Sequence, residues 1–252
     1  PEDLFHYGGL WHSWDHHGMF SGPDAGSCLA RINAFQQRAA EMIGTASWLI
    51  LSFGSAHAYR LAGEERVVAN CHKMPSAGFD KIRLNAARVI ALLDHFLFRL
   101  FRRNPAIRVI FTVSPVRYAK DGVVENNISK ATLLTAVHHM VDKFDRLYYF
   151  PSYELVIDDL RDYRFYEPDL VHPNETAVAY VWARFCPSAL AAEPRALLAE
   201  VEDVVRAAAP RPLNPGSKAY REFCAAQLDR IRILEARFPF LDFTAEKRHF
   251  AF

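Results

Sequence analysis

Two short, unbroken apolar runs constrain this chain more than any other feature. Trp48-Leu-Ile-Leu-Ser-Phe53 stops at Gly54, and Arg108-Val-Ile-Phe-Thr-Val113 stops at Ser114-Pro115. Runs of this length, bounded by Gly or Pro and rich in branched and aromatic residues, predict strands buried on both faces. A third, Leu147-Tyr-Tyr-Phe150, is broken by Pro151. Helical periodicity fills the spaces between them. Leu29, Ile32, Phe35, Ala39, Met42 and Ile43 recur at helical spacing from Cys28 to Ile43. A long helix is predicted from about Asp80 to Arg103, ended by Asn104-Pro105. Ser129 opens another, with Leu133, Leu134, Val137 and Val141 as its inner stripe. Val67-Val-Ala69 is a short apolar piece, and Glu154 to Leu160 reads as helical. Strand and helix alternate, which is the pattern of a parallel sheet with helices on both faces.

Beyond about Ala189 the pattern is helical only, from Ala191 to Ala209 and from Ser217 to Phe238, separated by Pro210-Arg-Pro-Leu-Asn-Pro215. The expected organisation is therefore an α/β domain over residues 1–188 and a helical extension over 189–252 packed on it. With 252 residues, the chain is long enough for this.

Charge and composition exclude several function classes. Lys plus Arg total 30 against 29 for Asp plus Glu, so no net charge draws the chain to nucleic acid or an anionic surface. Arg99, Arg102 and Arg103 sit at a helix end, where they complement the helix dipole. No apolar run approaches the ~20 residues needed to span a bilayer. Cys28, Cys71, Cys186 and Cys224 are widely spaced and form no CxxC pair, so reduced, partly buried thiols are expected. No signal peptide is visible, and a cytoplasmic compartment is favoured.

In open α/β sheets ligands sit beyond the carboxyl ends of the strands. Three segments fall there: Gly54-Ser-Ala-His57, Ser114-Pro-Val-Arg117, and the loop from Arg161 to Pro173. The last carries the sharpest signal, Asp169-Leu-Val-His172-Pro173, followed by Asn174 as a helix cap. A histidine that activates a hydroxyl needs a carboxylate on its other ring nitrogen to fix its tautomer and stabilise the imidazolium. Three residues of separation across a turn can bring both side chains to one face. A helix-capping Asp beside a surface His is the bland alternative, and spacing alone does not decide between them.

Several segments together resemble one family. Gly9-Leu-Trp-His-Ser-Trp-Asp-His-His17, Val67-Val-Ala-Asn-Cys-His-Lys73, Phe111-Thr-Val-Ser-Pro-Val-Arg117, Ser129-Lys-Ala-Thr-Leu-Leu134 and Leu160-Arg-Asp-Tyr-Arg-Phe-Tyr166 look like signature segments of the GSCFA-domain family. Asn214-Pro215 and Phe238-Pro-Phe-Leu-Asp-Phe243 look like its paired C-terminal ends. The resemblance runs over nearly the whole chain. It implies a bacterial member of the SGNH (GDSL-like) hydrolase superfamily, with a flavodoxin-like three-layer α/β/α fold. It also implies a Ser-His-Asp esterase or acyl-transfer site, with a carbohydrate ester favoured as substrate. Such a mechanism needs neither metal nor cofactor, and none is expected.

Residue by residue, the resemblance places Asp169 and His172 on the Asp-x-x-His block and Gly54 at the Gly-x-Asn block. The chain departs there, because no Asn stands two residues after Gly54. Asn70 is the replacement oxyanion donor, or simply a turn residue. The nucleophile departs further. Ala25-Gly-Ser-Cys-Leu-Ala30 superficially offers Ser27, but Phe20-Ser-Gly-Pro-Asp-Ala25 before it is a polar turn rather than a strand, and Leu29-Ala-Arg-Ile-Asn33 after it opens an amphipathic helix. Moreover, the segment Gly9 to His17 normally follows the nucleophile block. The expectation is that Ser27 is a coincidental match. The nucleophile and the first strands would then precede Pro1, and the chain as it stands would be poorly stable. A non-catalytic carbohydrate-binding or scaffold module that keeps the fold is the competing reading.

Other residues carry weaker signals. The segment Trp11 to His17 suggests a pocket lining with stacking Trp rings, or equally core packing; adjacent His16 and His17 point apart, which disfavours a metal. Cys71-His72 are neighbours that seldom meet as a nucleophile pair. Arg117 and Lys73 stand at strand ends, suited to an anionic substrate group or to loop salt bridges. Arg161, Asp162 and Arg164 form a charged run that holds the catalytic loop.

Overall fold

A computed structural model describes residues 3–212 and 214–251 of the chain. The α/β pattern read from the sequence is present. After a hairpin of β1 (Leu4–Tyr7) and β2 (Leu10–Ser13), helix α1 covers Ala25–Thr45 and strand β3 Trp48–Phe53. Then come β4 (His57–Leu61), β5 (Val67–Val68), β6 (Phe79–Arg83), α2 (Ala86–Arg103), β7 (Arg108–Val113), α3 (Val123–Lys143) and β8 (Leu147–Tyr149). Helix α4 (Ser152–Glu154) runs into a π-helical turn, Leu155–Leu160, and α5 (Glu175–Ala189), α6 (Ala192–Ala208), α7 (Lys218–Arg237) and α8 (Thr244–Phe250) complete the chain.

The central sheet is parallel, in the order β3-β7-β8, and pairs Ile50 with Ile110 and Ile110 with Tyr148. One face holds the core. Val109, Phe111 and Val113 alternate along β7 and are fully buried against Val89, Leu93 and Leu97 of α2 and Leu133, Val137 and Met140 of α3. The parallel sheet with its flanking helices is consistent with a three-layer α/β/α fold.

The expectation that both strand faces are buried needs correction for β3. Trp48 and Ile50 are 44% and 53% exposed, while Leu49, Leu51 and Phe53 pack into the core. Among the described residues β3 pairs on one side only, with β7. Its second face, apolar in sequence, is only partly covered. The predicted start of the second helix is also corrected. Asp80 to Arg83 extends in β6, and the helix begins after Asn85, whose side chain caps it by accepting the Arg88 N–H at 2.9 Å. Two antiparallel pieces form sheets of their own beside the parallel one: the β1–β2 hairpin and the sheet β5-β4-β6. The hairpin turns on Gly8 and Gly9, whose φ values of 58° and 81° suit the two-residue turns that match strand twist.

The chain divides into two compact units, Pro1–Val181 and Trp182–Phe252. The second is a helical unit whose core is Val204, Cys224, Ile231, Leu234, Phe243 and Phe250. Leu213, in the predicted proline-rich connection, lies outside the described residues.

The end of α2 is anchored by a polar side chain. Asn104 is buried and donates to the carbonyls of Ile43 and Ala46 at 2.8 Å each, while accepting the Ala106 N–H at 3.2 Å. Asn104→Ala strands those carbonyls without a donor, and a loss of about 2–4 kcal/mol is expected in urea unfolding.

Candidate functional site

The acid–base part of the candidate site is built within the loop Tyr166–Pro173. An isolated bridge joins Tyr166 to Pro173, the Glu167 N–H donates to the His172 carbonyl at 2.8 Å, and the Leu170 N–H donates to the Glu167 carbonyl at 2.9 Å. Asn174 follows, accepting the Ala177 N–H and donating to the Arg164 carbonyl, so the loop is fastened to the start of α5.

Within this closed loop Asp169 and His172 meet. The His172 Nδ1 lies 2.6 Å from Asp169 Oδ2, and Asp169 Oδ1 accepts the N–H groups of Val171 and His172 at 2.8 and 3.0 Å. The backbone N–H of His172, then its ring and the Val171 N–H, hold the Asp169 carboxyl at about 2, well below its ordinary value. A carboxylate on Nδ1 leaves Nε2 to act on a hydroxyl. Among the described residues nothing hydrogen-bonds Nε2, and the His172 side chain is 60% exposed.

Two further connections tie this loop to the strand ends. The Arg117 backbone N–H and its Nη1 donate at 3.2 Å to the carbonyls of Val171 and Leu170, between the acid and the base. Its guanidinium lies 4.3 and 5.2 Å from the ring centroids of Tyr166 and Tyr163. Deeper in, Lys130 of α3 is fully buried and donates at 2.6 Å to the carbonyls of Gly54 and Ser114, just past the ends of β3 and β7. The neighbouring Ser129 Oγ accepts the Ala56 N–H at 2.7 Å.

The remaining predicted site residues lie apart from the dyad's contacts. Gly54 is where the sequence put it, at the end of β3, with its carbonyl engaged by Lys130. Asn70 accepts the His72 N–H at 2.7 Å in a turn. It also lines a cavity of about 460 Å³ with Tyr7, Leu10, His12, His17 and His72. Neither Asp169, His172 nor Gly54 lines that cavity. Ser27 stands in the first turn of α1, its N–H accepted by the Asp24 cap and its hydroxyl donating to the Asp24 carbonyl at 3.1 Å.

In the histidine-rich segment, His12 bonds Ser21 and the Tyr7 carbonyl, His16 bonds Ser13 and Gln36, and Trp14 stacks on Phe5 at 3.7 Å. Among the described residues no group of three His, Cys, Asp or Glu side chains could hold a metal ion. His72 bonds the Ser13 carbonyl at 2.8 Å, and burial raises the Cys71 thiol above its ordinary value, the opposite of an activated nucleophile.

Sequence reasoning missed Lys130, which reads as one more polar residue on a helix. It also missed the contact of Ser55 Oγ with His57 Nδ1, 3.0 Å. Burial lowers the basicity of His57, whose Nε2 faces Glu125 at 3.8 Å. The Gly54-Ser-Ala-His57 spacing was the available signal.

The family model of the GSCFA family matches residues 1–185, and that of the GSCFA domain protein, C-terminal domain, matches residues 201–251. The chain therefore belongs to the GSCFA family. No curated protein and no solved structure matches it. Among the described residues no helix is long and apolar enough to cross a membrane.

Burial lowers the Lys130 ammonium from 10.5 to about 8. The unfolded chain then binds the extra proton between those values, so folding gains stability as pH rises through that window. Compared with Lys130→Met, the wild-type protein should gain at most about 3 kcal/mol between pH 8 and 10, measured by urea unfolding at several pH values.

Proposed function

We propose that the chain is an SGNH-type ester hydrolase or O-acyltransferase in which His172 is the general base and Asp169 holds its tautomer. The single observation that carries this reading is the 2.6 Å contact between His172 Nδ1 and Asp169 Oδ2, with the opposite ring nitrogen unengaged among the described residues. In that geometry Nε2 takes the proton of a serine or acceptor hydroxyl as its oxygen attacks the ester carbonyl. It then returns the proton to the leaving alkoxide. Asp169, already ionised and held by backbone N–H groups, stabilises the imidazolium without accepting its proton. The Asn70 amide and the backbone near Gly54 are the proposed oxyanion donors. An acylated carbohydrate is the substrate class the family analogy favours, in a bacterial host.

A second reading, a non-catalytic carbohydrate-binding or scaffold module, draws support from one fact: no serine hydroxyl reaches His172 Nε2 among the described residues. Turnover of p-nitrophenyl acetate separates the two. His172→Ala should lower kcat/KM by about 10³-fold and Asp169→Asn by about 10²-fold, with unfolding midpoints near wild type because both side chains are exposed. Unchanged turnover in His172→Ala defeats the catalytic reading. Labelling of Ser27 or Ser55 by a fluorophosphonate probe would move the nucleophile to that residue.

A further inference from the structure

Beside the dyad loop lies a cavity whose lining carries more positive than negative charge. Arg117, Arg161, Asp162, Tyr163 and Tyr166 are among the residues lining it, and its volume is about 230 Å³. A second cavity, of about 260 Å³, shares Arg117, Ile157 and Tyr163 with the first and adds Asn126, Asn127 and Tyr153. Neither arginine forms an ion pair among the described residues. Arg117 places one N–H on the Leu170 carbonyl, out of the five that a guanidinium carries. Among the described residues Asp162 is the only carboxylate lining the smaller cavity, and its Oδ1 accepts the Arg164 N–H. Two guanidinium groups against one carboxylate leave a single positive charge.

A separate observation points to a ligand. Tyr166 is 7% exposed, and its buried hydroxyl has no hydrogen-bond partner among the described residues. Folded proteins rarely leave a buried donor unmet, and an acceptor entering the cavity that Tyr166 lines would complete the set once the ring turns slightly toward it. Its ring also carries the Arg117 guanidinium at 4.3 Å, so the unmet hydroxyl and the unpaired charge belong to one side-chain stack.

We infer that this cavity binds a carboxylate group of the substrate, so that the ester handled at the dyad carries a monoanion on its acyl or alcohol part. The inference rests on the proposed function for the chemistry next door, and on its own residues for the anion. A planar guanidinium matches the fork of a carboxylate. One net positive charge suits a monoanion, whereas Asp162 in the wall opposes a phosphate dianion. The position follows from the backbone: Arg117 bonds the carbonyls of Leu170 and Val171, so an anion held by its free N–H groups is registered against the loop that carries Asp169 and His172.

The test is binding, measured apart from turnover. Isothermal titration calorimetry and thermal unfolding of the whole protein with butyrate, inorganic phosphate and methyl butyrate, at matched ionic strength, should show butyrate, a monoanion, binding most tightly and raising Tm. Methyl butyrate should not bind at this subsite. Arg161→Gln, an exposed change that spares the fold, and Tyr166→Phe should each weaken butyrate binding about tenfold. Unliganded Tyr166→Phe should melt no lower than wild type, because the hydroxyl it removes has no partner among the described residues. His172→Ala should bind butyrate as wild type does. That pattern in a protein without esterase activity would leave the anion subsite standing and the hydrolase reading defeated. The inference is overturned if butyrate does not bind, if phosphate or methyl butyrate binds as tightly, if both cavity variants bind normally, or if His172→Ala abolishes binding.

Discussion

The carboxyl-terminal edge of the parallel sheet hangs on one buried ammonium. Among the described residues Lys130 has no carboxylate partner; it donates instead to the carbonyls of Gly54 and Ser114, which follow the last residues of two adjacent strands. Burying an ammonium alone costs several kcal/mol, and charged hydrogen bonds of about 1.5–3 kcal/mol each are needed to offset it. Two such bonds nearly do so only if both carbonyls stay where they are, so the cation sets the spacing of the two post-strand loops. The preceding residue extends the same grip, with Ser129 Oγ accepting the Ala56 N–H. One turn of α3 thus aligns both loops, and the second leads through Pro115 and Val116 to Arg117 and the dyad.

How much of this was legible depends on the range of the interaction. Strands β3 and β7 announce themselves because an unbroken apolar run needs no partner to be recognised. Strand β6, Phe79-Asp-Lys-Ile-Arg83, does not, because Ile82 falls in helical register with Val89 and Leu93 and looks like the first turn of α2. The Asn85 cap is the local signal that separates strand from helix there. The dyad is legible for the opposite reason. Asp169 and His172 are three residues apart, and the hydrogen bonds that join them are made within the loop itself. Lys130 is illegible, since a lysine in a helix becomes a clamp only when the topology carries it beneath two strand ends. Arg117 sits between these cases: its place after a strand suggested anion binding or a loop salt bridge, while its bonds to Leu170 and Val171 depend on contacts more than fifty positions away.

The same division explains the scattered oxyanion candidates. Gly54 and Asn70 were linked by resemblance to one reaction, yet each is held by a local demand of its own. Gly54 gives its carbonyl to Lys130. The Asn70 side chain closes a turn in which His72 and Lys73 adopt φ values of 49° and 59°. Among the described residues the side-chain amide N–H groups of Asn70 have no partner and remain available for a ligand in the cavity it lines.

Leu170 shows how the acid–base pair is kept in register. It is half exposed and adopts φ of 58°, a left-handed conformation that a branched, non-glycine residue avoids at a cost of about 1–3 kcal/mol. A right-handed residue there would continue toward a helical turn and carry the following N–H groups away from Asp169. With the chain reversed at Leu170, the N–H groups of Val171 and His172 both reach Oδ1, and the imidazole falls onto Oδ2. The reversal also presents the Leu170 carbonyl to Arg117 Nη1. Each of these bonds holds the strained residue in place, and none would form without it. The backbone at position 170 is thus the hinge on which acid, base and guanidinium share one loop.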